Sequence, residues 1–231
     1  MRQLNLRPRY RVLAGAVAVL VTLTAAIGWM HTHAGRRLLA RLGVQCPVTQ
    51  VAPERVAAVR AEAMARARGT GTAASRPALG LQLDTSSETA VAAWAASVHA
   101  PCEAITRGYR FLRCRGVPAA ALGLSGPAVS EIWFSFGNHD RLIAVNLYRR
   151  YMTEAETRQS WFGALGRLQQ QLGEPTQASG DLTLAHLADS ALAVARVRYA
   201  YSDYIATVTA SRTPYGGMAV REQYMSALPS T

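Results

Sequence analysis

Apolar residues in the second half of the chain recur at two distinct steps. Alternation of period two runs through Glu131 to Phe136, which sets Ile132, Phe134 and Phe136 on one face, and through Leu142 to Tyr148, which sets Ile143, Val145 and Leu147 on one face. Tyr109 to Cys114, Leu192 to Tyr201 (with Val197, Tyr199 and Tyr201 aligned), Tyr204 to Ser211 and Met218 to Met225 complete six predicted strands. In the last of these Val220 and Tyr224 share a face with Glu222, which leaves its inward side ambiguous. Helical spacing is clearest from Thr153 to Gly173, where Trp161, Leu165, Leu168 and Leu172 form a stripe and Gly173 and Pro175 stop the helix. A second helix is expected over Thr85 to Val98, ended by Pro101. A third covers Pro53 to Arg68, with Pro in its first turn and Val56, Val59, Ala63 and Ala67 on one side.

The order is helix then three strands, twice. Thr85 stands three residues before Glu88, and Thr153 three before Glu156, so each helix start reads as a capping box in which hydroxyl and carboxylate satisfy first-turn donors. Each box carries Glu-Thr and leads to a tryptophan, Trp94 or Trp161. The fold class expected is α+β: an exported domain, residues 79–231, built of two helix-plus-three-strand units (85–152 and 153–225) that form an antiparallel sheet with helices on one face. Trp133, out of phase with Ile132 and Phe134, then points to the open face, with Arg196, Arg198, Thr207 and Thr209 on the matching side of the second unit. These five residues are a possible partner face unless the linker Gly69 to Pro77 covers Trp133.

The N-terminal segment follows another pattern. Val12 to Met30 carries no charge and follows Arg2, Arg7, Arg9 and Arg11. That length and basic flank predict an N-terminal transmembrane helix, residues 12–30, behind a cytoplasmic tail, 1–11, and before a juxtamembrane segment, helix and linker, 31–78. The alternative is a cleaved signal sequence, with Ala26-Ile27-Gly28 offering small residues at its end. Either way the bulk of the chain is expected to be exported; with the anchor retained, the expected location is the cell envelope, as a single-pass inner-membrane protein with its C-terminal domain in the periplasm or outside the cell. Cys46 lacks a lipobox, since Val44-Gln45 precedes it.

Charge changes the picture little. The net charge is +11, yet residues 1–76 hold 12 Arg against two acids (+10) and residues 77–231 hold 13 Arg against 12 acids (+1). The basicity belongs to the N-terminal segment, and the near-neutral remainder excludes nucleic acid as a partner class. Every basic residue is Arg, with no Lys in the chain. Cysteine usage matters more. An exported domain favours paired thiols, and Cys102 and Cys114 flank one chain reversal, so a disulfide between them is expected, with pairing through Cys46 as the alternative.

No motif fixes a chemistry. Asn138-His139-Asp140-Arg141 sits between two alternating runs, after Gly137, where such residues make a turn rather than a catalytic cluster. His186, Asp189 and Ser190 are too close in sequence to converge as a triad, and Gly69-x-Gly71 lacks the strand and the Lys of a phosphate loop. His31 and His33 have no carboxylate or Cys beside them. No catalytic residue, metal ligand or cofactor is assigned.

The helix ending in Leu172-Gly173-Glu174-Pro175-Thr176, with Met152-Thr153 before it and three antiparallel strands after it, resembles the small outer-membrane-assembly lipoproteins of the SmpA/OmlA type. It is also similar to the tandem modules of the β-lactamase-inhibitor proteins. The departures are the missing lipobox, the anchor-like run and the module's appearing twice. The resemblance implies a non-enzymatic envelope protein that binds other proteins, and it transfers no site residues. The expected function is thus a membrane-anchored protein-interaction or assembly module. The alternative is an exported enzyme or ligand-binding protein whose site forms from distant residues, and a deep polar pocket holding His99, His139 or His186 would favour it.

Overall fold

The computed structural model describes residues 17–25, 28–29, 32, 53–107, 109–187, 190, 193–212 and 217–228. The chain divides into two compact units, Met1–Val51 and Ala52–Thr231. In the first, residues 17–25 are helical. Among the described residues no helix is long and apolar enough to cross a membrane. This corrects the expected transmembrane helix at 12–30, and with it the expected single-pass inner-membrane location with a periplasmic C-terminal domain. The reason is the extent of described helix: at about 1.5 Å per residue, the residues described as helical there, 17–25 and 28–29, do not make up the roughly 30 Å of a hydrocarbon core. Cys46, His31, His33 and Asp189 lie outside the described residues.

The second unit contains helices α1 (Pro53–Ala67), α2 (Glu88–Ser97) and α3 (Glu154–Leu172). Its strands are β1 (Cys102–Arg107), β2 (Tyr109–Val117), β3 (Val129–Phe136), β4 (Leu142–Met152), β5 (Gln177–Ser179), β6 (Val194–Ala200), β7 (Tyr204–Arg212) and β8 (Met218–Ser226). All eight form one antiparallel sheet in the order β1-β2-β3-β4-β8-β7-β6-β5. α2 and α3 are therefore each followed by four strands, correcting the expected three. Exchanging β1–β4 with β5–β8 leaves the strand order unchanged, so the sheet has an approximate two-fold at the β4–β8 seam.

The two helix starts differ. At α3, the Thr153 hydroxyl accepts from Glu156 N (3.3 Å) and Thr153 N donates to the Glu156 carboxylate (2.8 Å), closing the capping box. At α2 the box on Thr85 does not form. Ser87 caps instead, accepting from Ala90 N at 3.1 Å. The cause is tertiary: Ser87 bridges Arg141, Leu142 N donates to Ser86 O, and Glu88 pairs with Arg110 at 3.4 Å, which fixes the chain until Ser87. The Arg110 guanidinium also pairs with Asp140, inside a turn where His139 and Asp140 take positive φ (62° and 60°). Tertiary ties thus decide the local starts that composition left open.

α2 and α3 cover one face of the sheet. Beneath them lie Leu112, Ile132, Phe134, Val145, Leu147, Val197, Tyr199, Val208 and Val220, all buried. Trp94 of α2 meets Phe134 edge-on at 5.6 Å, while Trp161 of α3 is fully buried and donates from Nε1 to Leu182 O at 3.1 Å. α1 lies on the opposite face. Its less exposed positions are Ala57, Arg60, Met64 and Ala67; of the expected stripe Val56, Val59, Ala63 and Ala67, Ala67 is half-buried, Val59 and Ala63 are exposed, and the Val56 side chain lies outside the described ones. Arg60 donates to Ser226 O (3.2 Å) and Arg198 to Ala67 O, which ties both parts of α1 to the sheet.

Candidate functional site

The side of the sheet away from α2 and α3 is organised by register. One row of directly paired residues crosses all eight strands: Glu103, Arg113, Trp133, Asn146, Gln223, Thr207, Arg198 and Gln177. The next row is Arg115, Glu131, Tyr148, Arg221, Thr209, Arg196 and Ser179. A third, Phe111, Ser135, Ala144, Met225, Ile205 and Ala200, is more apolar; Ile205 and Ala144 are buried on this face, where α1 lies. Two polar rows therefore remain open beside one covered row.

Aromatic rings and guanidinium groups interleave on β2–β4 and β8. Arg113 lies 5.0 Å from the Trp133 ring centroid, and Phe111 meets Trp133 edge-on at 5.9 Å. Arg150 and Arg221 lie 5.0 and 5.2 Å from the Tyr148 ring, and Arg221 donates to Asn146 Oδ1 at 2.8 Å. Glu131 is the buried anchor of this half. It accepts from Trp133 Nε1 (2.6 Å), pairs with Arg113, and lies 3.4 Å from Arg150. Burial pushes its carboxyl up, but the hydrogen bonds from Arg113 and Trp133 and the nearby guanidinium charges outweigh that and hold it below its usual range.

On β5–β8 the same rows line a groove of about 340 Å³ that includes Arg196, Arg198, Thr207, Thr209 and Arg221. Neither polar row carries a carboxylate there, and Arg196 is exposed with no ion pair among the described residues. The structure thus gathers four of the five candidate residues into one groove. Trp133 is half-buried in the same row as Arg198 but four strands away, roughly 19 Å at about 4.8 Å per strand. Cys102 and Cys114 pair directly in the β1–β2 register and form a disulfide, outside this groove.

The remaining candidates stay apart. His99, His139 and His186 are exposed, and His186 N donates to Asp181 Oδ2 (3.2 Å) inside a local turn. Neither the groove nor a second cavity on the helix face is lined by a histidine. Among the described residues no group of three or more His, Cys, Asp and Glu is placed to hold a metal.

Sequence reasoning missed a charged cluster at the β4–β8 seam, beneath α3. Arg149 and Glu222 are 1% and 0% exposed. Glu222 Oε2 accepts from Arg167 of α3 (2.8 Å) and from the Tyr224 hydroxyl (2.5 Å), whereas Arg149 donates to Ser125 O at 3.2 Å. Arg149 Nε and Glu222 Oε1 have no hydrogen-bond partner among the described residues. Burial lowers the Arg149 pKa, and burial together with Glu222 pushes the Tyr224 hydroxyl well above its usual range. The available signal was the shared phase of Val220, Glu222 and Tyr224, which places the carboxylate inward.

No protein-family model, curated protein or solved structure matches this chain.

Proposed function

We propose that the Ala52–Thr231 unit is a non-enzymatic protein-interaction module that docks an acidic segment of a partner protein on its open sheet face. The observation that carries this reading is the groove on β5–β8, where Arg196, Arg198 and Arg221 stand among threonines with no carboxylate in the same rows. Extended acidic chain complements that charge, and guanidinium forks suit carboxylates. Trp133 and Tyr148, already braced by arginines, supply large contact area next to it. α1 bounds the face on its apolar side and leaves the polar rows open.

The reading is tested with a photo-cross-linking residue at Thr209 in the full chain, with a control at Gln169 on α3. A discrete protein adduct is expected from Thr209 alone, weakened by salt and lost in the Arg196→Glu/Arg221→Glu double variant. An adduct indifferent to both charge reversal and salt would remove the acidic-segment reading. The competing reading, a ligand-binding protein with a site formed from distant residues, is favoured by one observation, the helix-face cavity.

A further inference from the structure

That helix-face cavity has a volume of about 400 Å³ and three walls from distant parts of the unit. Leu79 and Leu81 come from the segment before α2, Leu122 and Leu124 from the β2–β3 connection, and Leu168 from α3, with Tyr224 of β8 also lining it. Its polar edge is Arg167 and Gln171 of α3. The Tyr224 hydroxyl is already committed to Glu222, so the tyrosine adds mainly ring surface. An apolar chamber of this size with polar groups at one edge is the ordinary form of a small-molecule site.

Charge decides what the head of such a molecule carries. Arg149 and Arg167 share a single carboxylate, Glu222, and the only ion pair among these three is Arg167 to Glu222 at 2.8 Å. Arg149 is therefore left without a paired acid among the described residues, but it lies buried beneath α3 and does not line the cavity, so Arg167 alone presents positive charge to a guest. Arg167 is 31% exposed at its side chain and commits one nitrogen to Glu222, which leaves donors on a lining residue for a second acceptor. An anionic head accepts charge-assisted hydrogen bonds from these donors, a neutral one accepts weaker bonds, and a cationic one is repelled.

We propose that the cavity between α3, the Pro77–Leu81 segment and the β2–β3 connection binds a medium-chain amphiphile with a carboxylate head, the chain among the leucines and the head at Arg167. This site is on the opposite side of the sheet from the groove proposed above, and the two stand or fall separately.

The probes are decanoate and decanol, titrated calorimetrically into the full chain below their micelle or solubility limits. Saturable one-to-one binding of decanoate is expected, with decanol on the order of tenfold weaker or more, the value of a hydrogen bond to a charged group. Because Arg167→Gln also strips a buried carboxylate of its partner, the decisive variant is Gln171→Glu, exposed at the cavity edge. It should weaken decanoate and leave decanol unchanged, with the folded state checked by near-UV circular dichroism. Leu81→Trp, which fills the chamber, should abolish both. Absence of decanoate binding, equal affinity for the two probes, or indifference of decanoate binding to either Gln171→Glu or Leu81→Trp would overturn the proposal.

Discussion

At the residue scale, the open face depends on one carboxylate. Glu131 is buried among Trp133, Arg113 and Arg150, and its folded pKa lies below the ordinary value of 4.5. A depressed carboxylate stabilises the fold fully above its unfolded pKa, and that contribution is lost as pH falls through the lower folded value. Replacing Glu131 by Gln should therefore cost stability at neutral pH, and the gap to wild type should stay level down to about pH 5 and close below it. Urea unfolding at a series of pH values measures this gap; a gap unchanged into strong acid would show that Glu131 acts by packing alone. Glu222 makes the complementary point about legibility. Its phase with Val220 and Tyr224 was visible, but a buried carboxylate is stable only with partners, and Arg167 lies 55 residues away in sequence. A single strand's pattern does not contain that information.

At the element scale, stability at the helix starts separates what local sequence decides from what the fold decides. Thr153 makes both bonds of its box, so Thr153→Ala should cost about 1 kcal/mol. Ser87→Ala should cost a similar amount, about 1 kcal/mol, since Ser87 caps α2. Thr85→Ala, at an exposed side chain that caps nothing, should stay within about 0.5 kcal/mol. Shifts of the urea midpoint at unchanged slope give these values, and a Thr85 effect as large as that of Ser87 would restore the capping box read from sequence. The same division explains the strands. β3, β4 and β6 to β8 alternate because one face is buried, so period two exposed them. β1 shows little such pattern, with Glu103, Ala104 and Thr106 exposed, and β5 is three exposed residues. Edge strands held by backbone pairing leave no hydrophobic trace, so the four-strand halves were not legible. The α1 stripe was misread for a related reason: Arg60 faces inward to reach Ser226 O, a contact that apolar periodicity does not register.

At the scale of the whole molecule, the sheet is two similar halves joined at β4–β8, and its stability should fall from that seam towards both edges. Strands β4 and β8 are paired on both sides and lie beneath α3, whereas β1 has one neighbour and is covered by none of the helices along much of its length. What holds β1 is the Cys102–Cys114 disulfide, placed directly across its single pairing. Closing a loop with a sequence separation of 12 is worth about 3 kcal/mol by the chain-entropy estimate. Part of that acts locally, because the bridge ties an edge strand to a neighbour already fixed by β3. In the Cys102→Ser/Cys114→Ser variant, amide exchange in β1 should accelerate on the order of a hundredfold, while the β4 and β8 amides slow or quicken only with global stability. The contrast between strands separates local fraying from general destabilisation. Uniform acceleration across β1, β4 and β8 would mean that the sheet opens as one cooperative body, and unchanged protection in β1 would mean that backbone pairing alone secures the edge.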